Sequence, residues 1–278
     1  MTPTCPLCNG VHTRLLFEKG GTPYWRCRGC RFHFATPSAN PNLENQLDDF
    51  EPAYLQYLEV EAADAANFRA TRNWMDRFHP LQNRTVLDVG CGSGKWVRWL
   101  QSQGVDAFGL EPSAALFARF LQGDAAFQQG LLTEQLVLPH ETYSVITSFD
   151  VLEHVERPLE FLAELARRLE PGGKLFLSSP DVGSLAARLL GRAWHFYGPY
   201  HLSYFGREAL RRVAPQLGLR LIDYRYRSRW RSLGYAGRYF YEFALRRKAP
   251  AWIRRFDTWL APMNLFDTFH VCFERTAK

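Results

Sequence analysis

Residues 86–94, reading VLDVGCGSG, constrain this chain more than any other stretch. An apolar, partly β-branched run takes in Asp88 and meets three glycines at alternate positions, Gly90, Gly92 and Gly94. Apolar runs bounded by glycine read as buried strands. The glycines have no Cβ, so the backbone can turn tightly and come close to a ligand. A helix expected from about Lys95 directs its unpaired N–H groups back at the loop. The result is a nucleotide-binding turn with G-x-G-x-G spacing. The dinucleotide fingerprint G-x-G-x-x-G would need glycine at Lys95, and no G-K-S/T follows. Hydride transfer and Walker-type phosphoryl transfer are both disfavoured.

Around this turn the pattern alternates. Strands are expected near 86–90, 106–110, 125–129, 143–149 and 173–179, with helices near 94–103, 113–122, 158–169 and 207–217. Such alternation implies a parallel sheet covered on both faces. Two further strands are expected, at 219–226 and 266–275. With 46% hydrophobic residues, the chain has ample material for a core of this size.

The N-terminus has a different signature. Cys5-Pro6-Leu7-Cys8 and Cys27-Arg28-Gly29-Cys30 give C-x2-C-x18-C-x2-C, the spacing of a four-thiolate structural zinc site. The spacer can fold as a hairpin around residues 15–17 and 22–25. Four thiolates leave no open position, so the zinc at Cys5, Cys8, Cys27 and Cys30 is expected to be structural. We see no charged-then-apolar leader and no apolar run of membrane-spanning length, and the expected location is cytoplasmic. A polar linker from residue 37 leads into a helical pattern over 43–78, with Tyr54, Tyr57 and Leu58 on roughly one face. That helix either covers the ligand cleft or simply packs. The organisation expected is thus a zinc ribbon at 1–36, linker and leading helices at 37–83, and an α/β domain at 84–278.

The glycine loop resembles motif I of the class I S-adenosylmethionine (SAM) methyltransferases, and the resemblance continues in order down the chain. Residues 108–113 (FGLEPS) resemble the second strand of that family, 143–155 (YSVITSFDVLEHV) its fourth strand and following loop, and 169–177 (LEPGGKLFL) its L-x-P-G-G turn and fifth strand. The resemblance implies a Rossmann-like α/β fold with a seven-stranded sheet and an antiparallel last strand. It implies SAM as cofactor, held by Asp88, Gly90, Gly92 and Gly94 beneath the methionine part, and by Glu111 with Pro112 at the ribose. Gly130 and Leu131 would flank the adenine, and Phe149 and Asp150 the other side. Many relatives carry an acid after that glycine; Leu131 stands there instead, leaving the adenine amino group to backbone.

Two further resemblances concern the acceptor. Asp150-Val151-Leu152-Glu153-His154 resembles the E-x-L-E-H segment of ubiquinone-biosynthesis O-methyltransferases, which implies a magnesium ion at Asp150, Glu153 and His154, or a plain helix start. His201-Leu202-Ser203-Tyr204-Phe205 resembles a segment of zinc-ribbon sugar C-methyltransferases whose histidine acts as base. His201 is accordingly the expected base, with Asp150 and Tyr57 completing the catalytic set. The zinc-ribbon group of small methyltransferases, the Methyltransf_23 type, is the overall likeness. It implies methyl transfer to a small-molecule or glycan acceptor, at a hydroxyl oxygen. An RNA methyltransferase using ribbon and basic surface, and a SAM-binding or zinc-mediated interaction protein without turnover, are the alternatives.

The net charge of +6 is uneven. Residues 218–255 hold eleven Arg or Lys against two acids, and the remainder is slightly acidic. Within this stretch, residues 229–262 read as an insertion rich in Arg, Trp, Tyr and Phe, either a lid or a surface-binding element. Its expected partners are a phosphate-bearing or lipid-linked acceptor and an anionic membrane surface, ahead of nucleic acid.

Overall fold

The computed structural model describes residues 2–37, 63–198, 200–241, 245 and 247–277. Tyr57 and most of the expected leading-helix segment lie outside them. The chain opens with an antiparallel meander, β1 (Thr13–Lys19), β2 (Thr22–Cys27) and β3 (His33–Ala35). Helix α1 (Asp64–Met75) buries Trp74 and Met75 and leads into the alternating region. There follow β4 (Thr85–Val89), α2 (Lys95–Ser102), β5 (Asp106–Glu111), α3 (Ala114–Leu116) and β6 (Phe127–Gln129). Next come β7 (Tyr143–Phe149), α4 (Pro158–Arg167) and β8 (Leu169–Pro180). The chain then forms α5 (Leu185–Leu190), the two-residue β9 (Ser203–Tyr204), α6 (Arg207–Val213) and β10 (Leu219–Tyr226). A hairpin made by β11 (Arg229–Ser232) and β12 (Leu260–Met263) encloses α7 (Leu233–Tyr239), and β13 (Thr268–Arg275) ends the fold.

Seven strands build the main sheet in the order β10-β13-β8-β7-β4-β5-β6. All core neighbours are parallel, and β13 runs antiparallel to both β8 and β10. The expected α/β Rossmann-like sheet with an antiparallel last strand is therefore present. Strand β7 is buried along nearly its whole length, as a strand with helices on both faces requires. Strand β8 starts at Leu169, earlier than expected, because Leu169 already pairs with Tyr143; the Pro171-Gly172-Gly173 turn is an irregularity before pairing resumes at Val145 and Lys174. The helix expected over 113–122 is α-helical only for α3 and continues as a π-turn through Phe117–Leu121.

The strand order reverses between β4 and β7, where one connection goes to β5 and the other to β8. Ligands bind outside the carboxyl ends of strands at such a switch point. The loops after β4 and β7 face each other there: a Cβ on Gly90, whose φ is +77°, would collide with Val151. Gly94 serves packing. It caps α2 in the left-handed region, and a Cβ there would lie 2.7 Å from Leu121 and Phe127.

The N-terminal meander is not a separate body. Its β3 pairs with β9, His33 opposite Tyr204 and Phe34 opposite Ser203, giving a four-stranded sheet β1-β2-β3-β9. Cys5, Leu7, Phe32 and Phe34 are buried in one apolar cluster with Phe205, Leu177 and Val271 of the main domain. On the other side Phe17 and Tyr24 stack on each other and meet Tyr197 edge-on, with Tyr24 tilted against Tyr204. Among the described residues no helix is long and apolar enough to cross a membrane.

Candidate functional site

A cavity of about 970 Å³ lies over the switch point. Gly90 and Gly92 form its floor, Glu111, Pro112 and Leu116 one wall, Gly130 and Leu131 an end, and Asp150, Val151 and His154 the opposite wall. The volume is within the range of small-molecule and cofactor sites. Of the ten residues expected to hold the cofactor, seven line this cavity. Asp88, Gly94 and Phe149 stand behind it: Phe149 packs edge-on against Trp96, and Gly94 abuts Phe127.

Asp88 acts as a brace beneath the loop. It is 5% exposed and accepts a 2.6 Å hydrogen bond from the Thr147 hydroxyl, tying β4 to β7. Burial, with the nearby Glu111 charge, pushes its carboxyl up to about 7. Glu111 is also buried, and burial raises its carboxyl above the ordinary range. Its two oxygens accept from the backbone N–H groups of Gly92 (2.7 Å) and Ser113 (2.9 Å). A carboxylate has about four lone-pair directions. Two here shape the glycine loop, which leaves capacity for a pair of vicinal hydroxyls at the cavity wall.

The opposite wall comes from the sharp turn after β7. Asp150 has φ +57°, an uncommon left-handed conformation for a residue with a side chain. Its amide N–H donates to the Ser178 carbonyl at 3.1 Å, and the Ser178 hydroxyl donates to its carboxylate at 2.7 Å. The Arg229 guanidinium then closes on both carboxylate oxygens, at 2.7 and 2.8 Å. Desolvation opposes ionisation, but the Arg229 charge and these hydrogen bonds hold the Asp150 carboxyl well below the usual range. Arg229 is itself positioned by its neighbour: the Asn67 side chain bonds both backbone groups of Trp230.

This arrangement corrects the expected magnesium set of Asp150, Glu153 and His154. Asp150 is committed to Arg229 and Ser178. The donor atoms that come within 4.8 Å of one another are those of Glu153, His154 and His201. Glu153 is buried and accepts from the Ser179 hydroxyl at 2.9 Å. Burial and the Asp150 charge push its carboxyl up to about 8. One carboxyl with two imidazoles offers a single oxygen-donor side chain, a poor set for a hard cation.

The two histidines also exchange expected places. His154 lines the cavity, whereas His201 stands behind it, its ring 4.8 Å from that of His154 and nearly perpendicular. Nδ1 of His154 meets the Tyr200 carbonyl at 2.9 Å, and Nδ1 of His201 meets the Phe196 carbonyl at 2.8 Å. A carbonyl can only accept, so each Nδ1 carries the proton and, in the neutral ring, Nε2 is the basic nitrogen. Burial lowers His154 below its ordinary value. Burial and the His154 charge lower His201 to about 3.

The four cysteines form two matching turns. Cys5 and Cys27 donate their N–H groups to Gly10 and Phe32, and accept from the N–H groups of Asn9 and Arg31. Asn9 and Arg31, each directly after the second cysteine of a pair, both have left-handed φ, +54° and +62°. The sulfurs of Cys5 and Cys30 lie 3.7 Å apart, those of Cys8 and Cys27 3.6 Å. A tetrahedral site with metal–sulfur bonds of about 2.3 Å has edges of roughly 3.8 Å, so the donor set fits a four-coordinate thiophilic ion. This cluster is wired to the cavity wall. Ala35 N–H donates to the Leu202 carbonyl, Leu202 N–H to the Glu153 carbonyl, and the Ser203 hydroxyl to the Val155 carbonyl.

Residues 57–224, more than half of the chain, match the model of the Methyltransf_23 family, a methyltransferase domain. The chain belongs to this family of SAM-dependent methyltransferases. The Methyltransf_23 match runs through the glycine loop, Glu111 and the Asp150 turn. A ubiquinone biosynthesis O-methyltransferase of Pseudomonas paraeruginosa is 29% identical over 169 residues, covering 53% of this chain and 72% of its own length. A tRNA U34 carboxymethyltransferase of Shewanella sediminis is 32% identical over 149 residues, covering 49% of this chain but only 45% of its own length. The fold matches that of a methyltransferase solved in complex with the Trm112 activator of Haloferax volcanii. The TM-score is 0.57 at 18% identity, over 83% of this chain and 97% of that one.

Asn67, Thr147 and Ser178 are site residues that sequence reasoning did not single out. Ser178 and Ser179 carried a usable signal, being polar residues at the carboxyl end of a buried strand. Arg229 stood out as a cation of the basic segment, but its pairing with Asp150 left no signal, the two being 79 residues apart in the chain.

Proposed function

We propose that this methyltransferase acts on a hydroxyl oxygen of a small-molecule or glycan acceptor, with His154 as the base and His201 as its positioning residue. The observation that carries the reading is the neutral imidazole of His154 on the cavity wall, oriented through Nδ1 by the Tyr200 carbonyl. SAM would supply the electrophilic methyl group. Glu111 would hold its ribose hydroxyls, Gly90 and Gly92 would allow close backbone approach, and Gly130 with Leu131 would flank the adenine. The protein then has to align the acceptor oxygen and accept its proton. His201 packs its ring against His154 and fixes which face that imidazole turns to the cavity. Zinc at Cys5, Cys8, Cys27 and Cys30 would be structural, holding the β3–β9 seam and through it the Glu153–Val155 turn.

The tRNA-acting relative supports RNA as a second reading. Five arginines of the basic segment are already engaged within the protein and weigh against it. Arg225, Arg229 and Arg238 are paired with Asp223, Asp150 and Asp257, and Arg227 and Arg231 lie over Trp74 and Tyr235. The test is methyl transfer from labelled SAM to a panel of phenols, sugar alcohols and bulk tRNA. We expect a hydroxyl acceptor to be methylated, and His154→Gln to lower kcat by about 10²–10⁴ with SAM affinity little changed. Labelled tRNA with no small-molecule product favours the second reading. Bound SAM with no transfer to any acceptor favours a binding protein.

A further inference from the structure

We infer that α5 and the outer part of the β11–β12 hairpin form a docking face for an anionic lipid bilayer. Ten of the fourteen large apolar side chains exposed among the described residues fall within residues 185–190 and 233–266. They include Leu185 and Leu189 (69% and 77% exposed), Trp252 and Trp259 (55% and 60%), Phe240 and Phe266. An exposed patch of this kind marks an interaction surface, whereas a buried tryptophan would need no partner.

The two segments adjoin. Tyr226 meets Phe266 edge-on at 6.2 Å and is within reach of the Arg188 charge on α5. From there the hairpin continues the surface. Trp252, Phe256 and Trp259 form a chain of edge-on rings at 6.2 and 5.4 Å, and the Leu233 N–H donates to the Trp259 carbonyl. Indole and phenyl rings at a polar–apolar boundary suit the headgroup level of a membrane.

Charge decides which surface is met. Arg188, Arg192, Arg247, Lys248, Arg254 and Arg255 are exposed, and among the described residues none has an acidic side chain within ion-pair distance. From residue 245 to 266 the sequence carries five cations and one acid, Asp257, which is paired with Arg238. The paired Arg225, Arg229 and Arg238 are half-buried, and Arg254 and Arg255 between the tryptophans are exposed. Apolar side chains set among cations match a leaflet with acidic headgroups, where burial and attraction act together. A polyanion such as RNA would use the cations but leave Leu185 and Leu189 in water. The face begins at β11, whose Arg229 pairs with Asp150 of the cavity wall, while none of its own residues lines the cavity. The inference does not rest on the identity of the acceptor.

The experiment is co-sedimentation of the full chain with vesicles of phosphatidylcholine, with and without 30% phosphatidylglycerol (about a third acidic lipid), at low and physiological salt. Indole fluorescence and SAM affinity are followed in parallel. We expect binding to the acidic vesicles with a blue shift and little binding to pure phosphatidylcholine. Trp252→Ser with Trp259→Ser, and separately Arg254→Glu with Arg255→Glu, should each reduce partitioning at least tenfold while SAM affinity is unchanged. The charge reversal touches no packed side chain and guards against loss of fold. Equal binding to both vesicle types, undiminished binding by either variant, or saturable tRNA binding that acidic vesicles do not compete away would overturn the proposal.

Discussion

The carboxylate of Asp150 and the guanidinium of Arg229 meet through two parallel hydrogen bonds, across 79 residues of chain. The pair joins the turn after β7 to the base of the hairpin, and Asn67 of α1 holds the strand that presents the arginine. Three distant segments are thereby fixed at one wall of the cavity.

A double-mutant cycle measures this link. Arg229→Met and Asp150→Asn should each destabilise the fold in urea denaturation, and their effects should couple by about 0.5–3 kcal/mol. The lower half of that range is expected, since the Asp150 side chain keeps 40% of its surface open and the pair is partly screened. Additive effects would show that the two side chains do not hold each other in solution.

Replacing Glu111 separates its two duties. Glu111→Ala removes the acceptor expected to face the ribose and the acceptor for Gly92 and Ser113. SAM affinity should fall by roughly 1–3 kcal/mol in calorimetry, and the melting temperature should fall as well. Unchanged affinity would remove Glu111 from the cofactor site.

Metal analysis of purified protein should find one zinc per chain, and Cys27→Ser should release it. Because the cluster is wired through Leu202 to Glu153, the loss should also raise KM for the acceptor. A fully metal-free protein with an intact fold would refute the ribbon assignment.

The buried titratable groups predict opposite pH limbs. His201 is held near 3 against an ordinary 6.5. Its contribution is complete above 6.5 and lost as pH falls toward 3, because the unfolded chain takes up the proton first. Glu153 is held near 8 against an ordinary 4.5. Its contribution is complete below 4.5 and lost as pH rises through 8. One proton changes stability by at most about 1.4 kcal/mol per pH unit. Relative to the parent chain, His201→Gln should therefore gain stability progressively from pH 6.5 to 4. Glu153→Gln should gain it from pH 5 to 8. Parallel stability–pH curves for parent and variants would contradict these assignments.

Features set by a few neighbouring residues were legible in the sequence. Gly90, Gly92 and Gly94 announced the loop because tight backbone turns leave a local mark. The four cysteines announced their cluster because two C-x-x-C turns are short motifs. The parallel strands were legible as apolar runs. What escaped depended on tertiary placement. The seam between β3 and β9 involves two residues on one side, too few for a periodic signal. Which of His154 and His201 faces the cavity follows from the rotation of one short turn against a loop some 46 residues away. The Arg229–Asp150 pair depends on how a hairpin folds back over the sheet.

The β3–β9 seam also orders events during synthesis. His33 and Phe34 leave the ribosome long before Ser203 and Tyr204 are made. At ~5–20 residues per second the interval is on the order of ten seconds or more. During it, β3 has an unpaired edge and Phe32 and Phe34 lack the Phe205 side of their cluster. An open strand edge with apolar neighbours is an aggregation hazard. The two cysteine turns close on local hydrogen bonds alone, so they can keep this edge compact until its partner arrives. A nascent chain arrested before residue 203 should accordingly be more prone to chaperone capture than one arrested after residue 205 has cleared the exit tunnel.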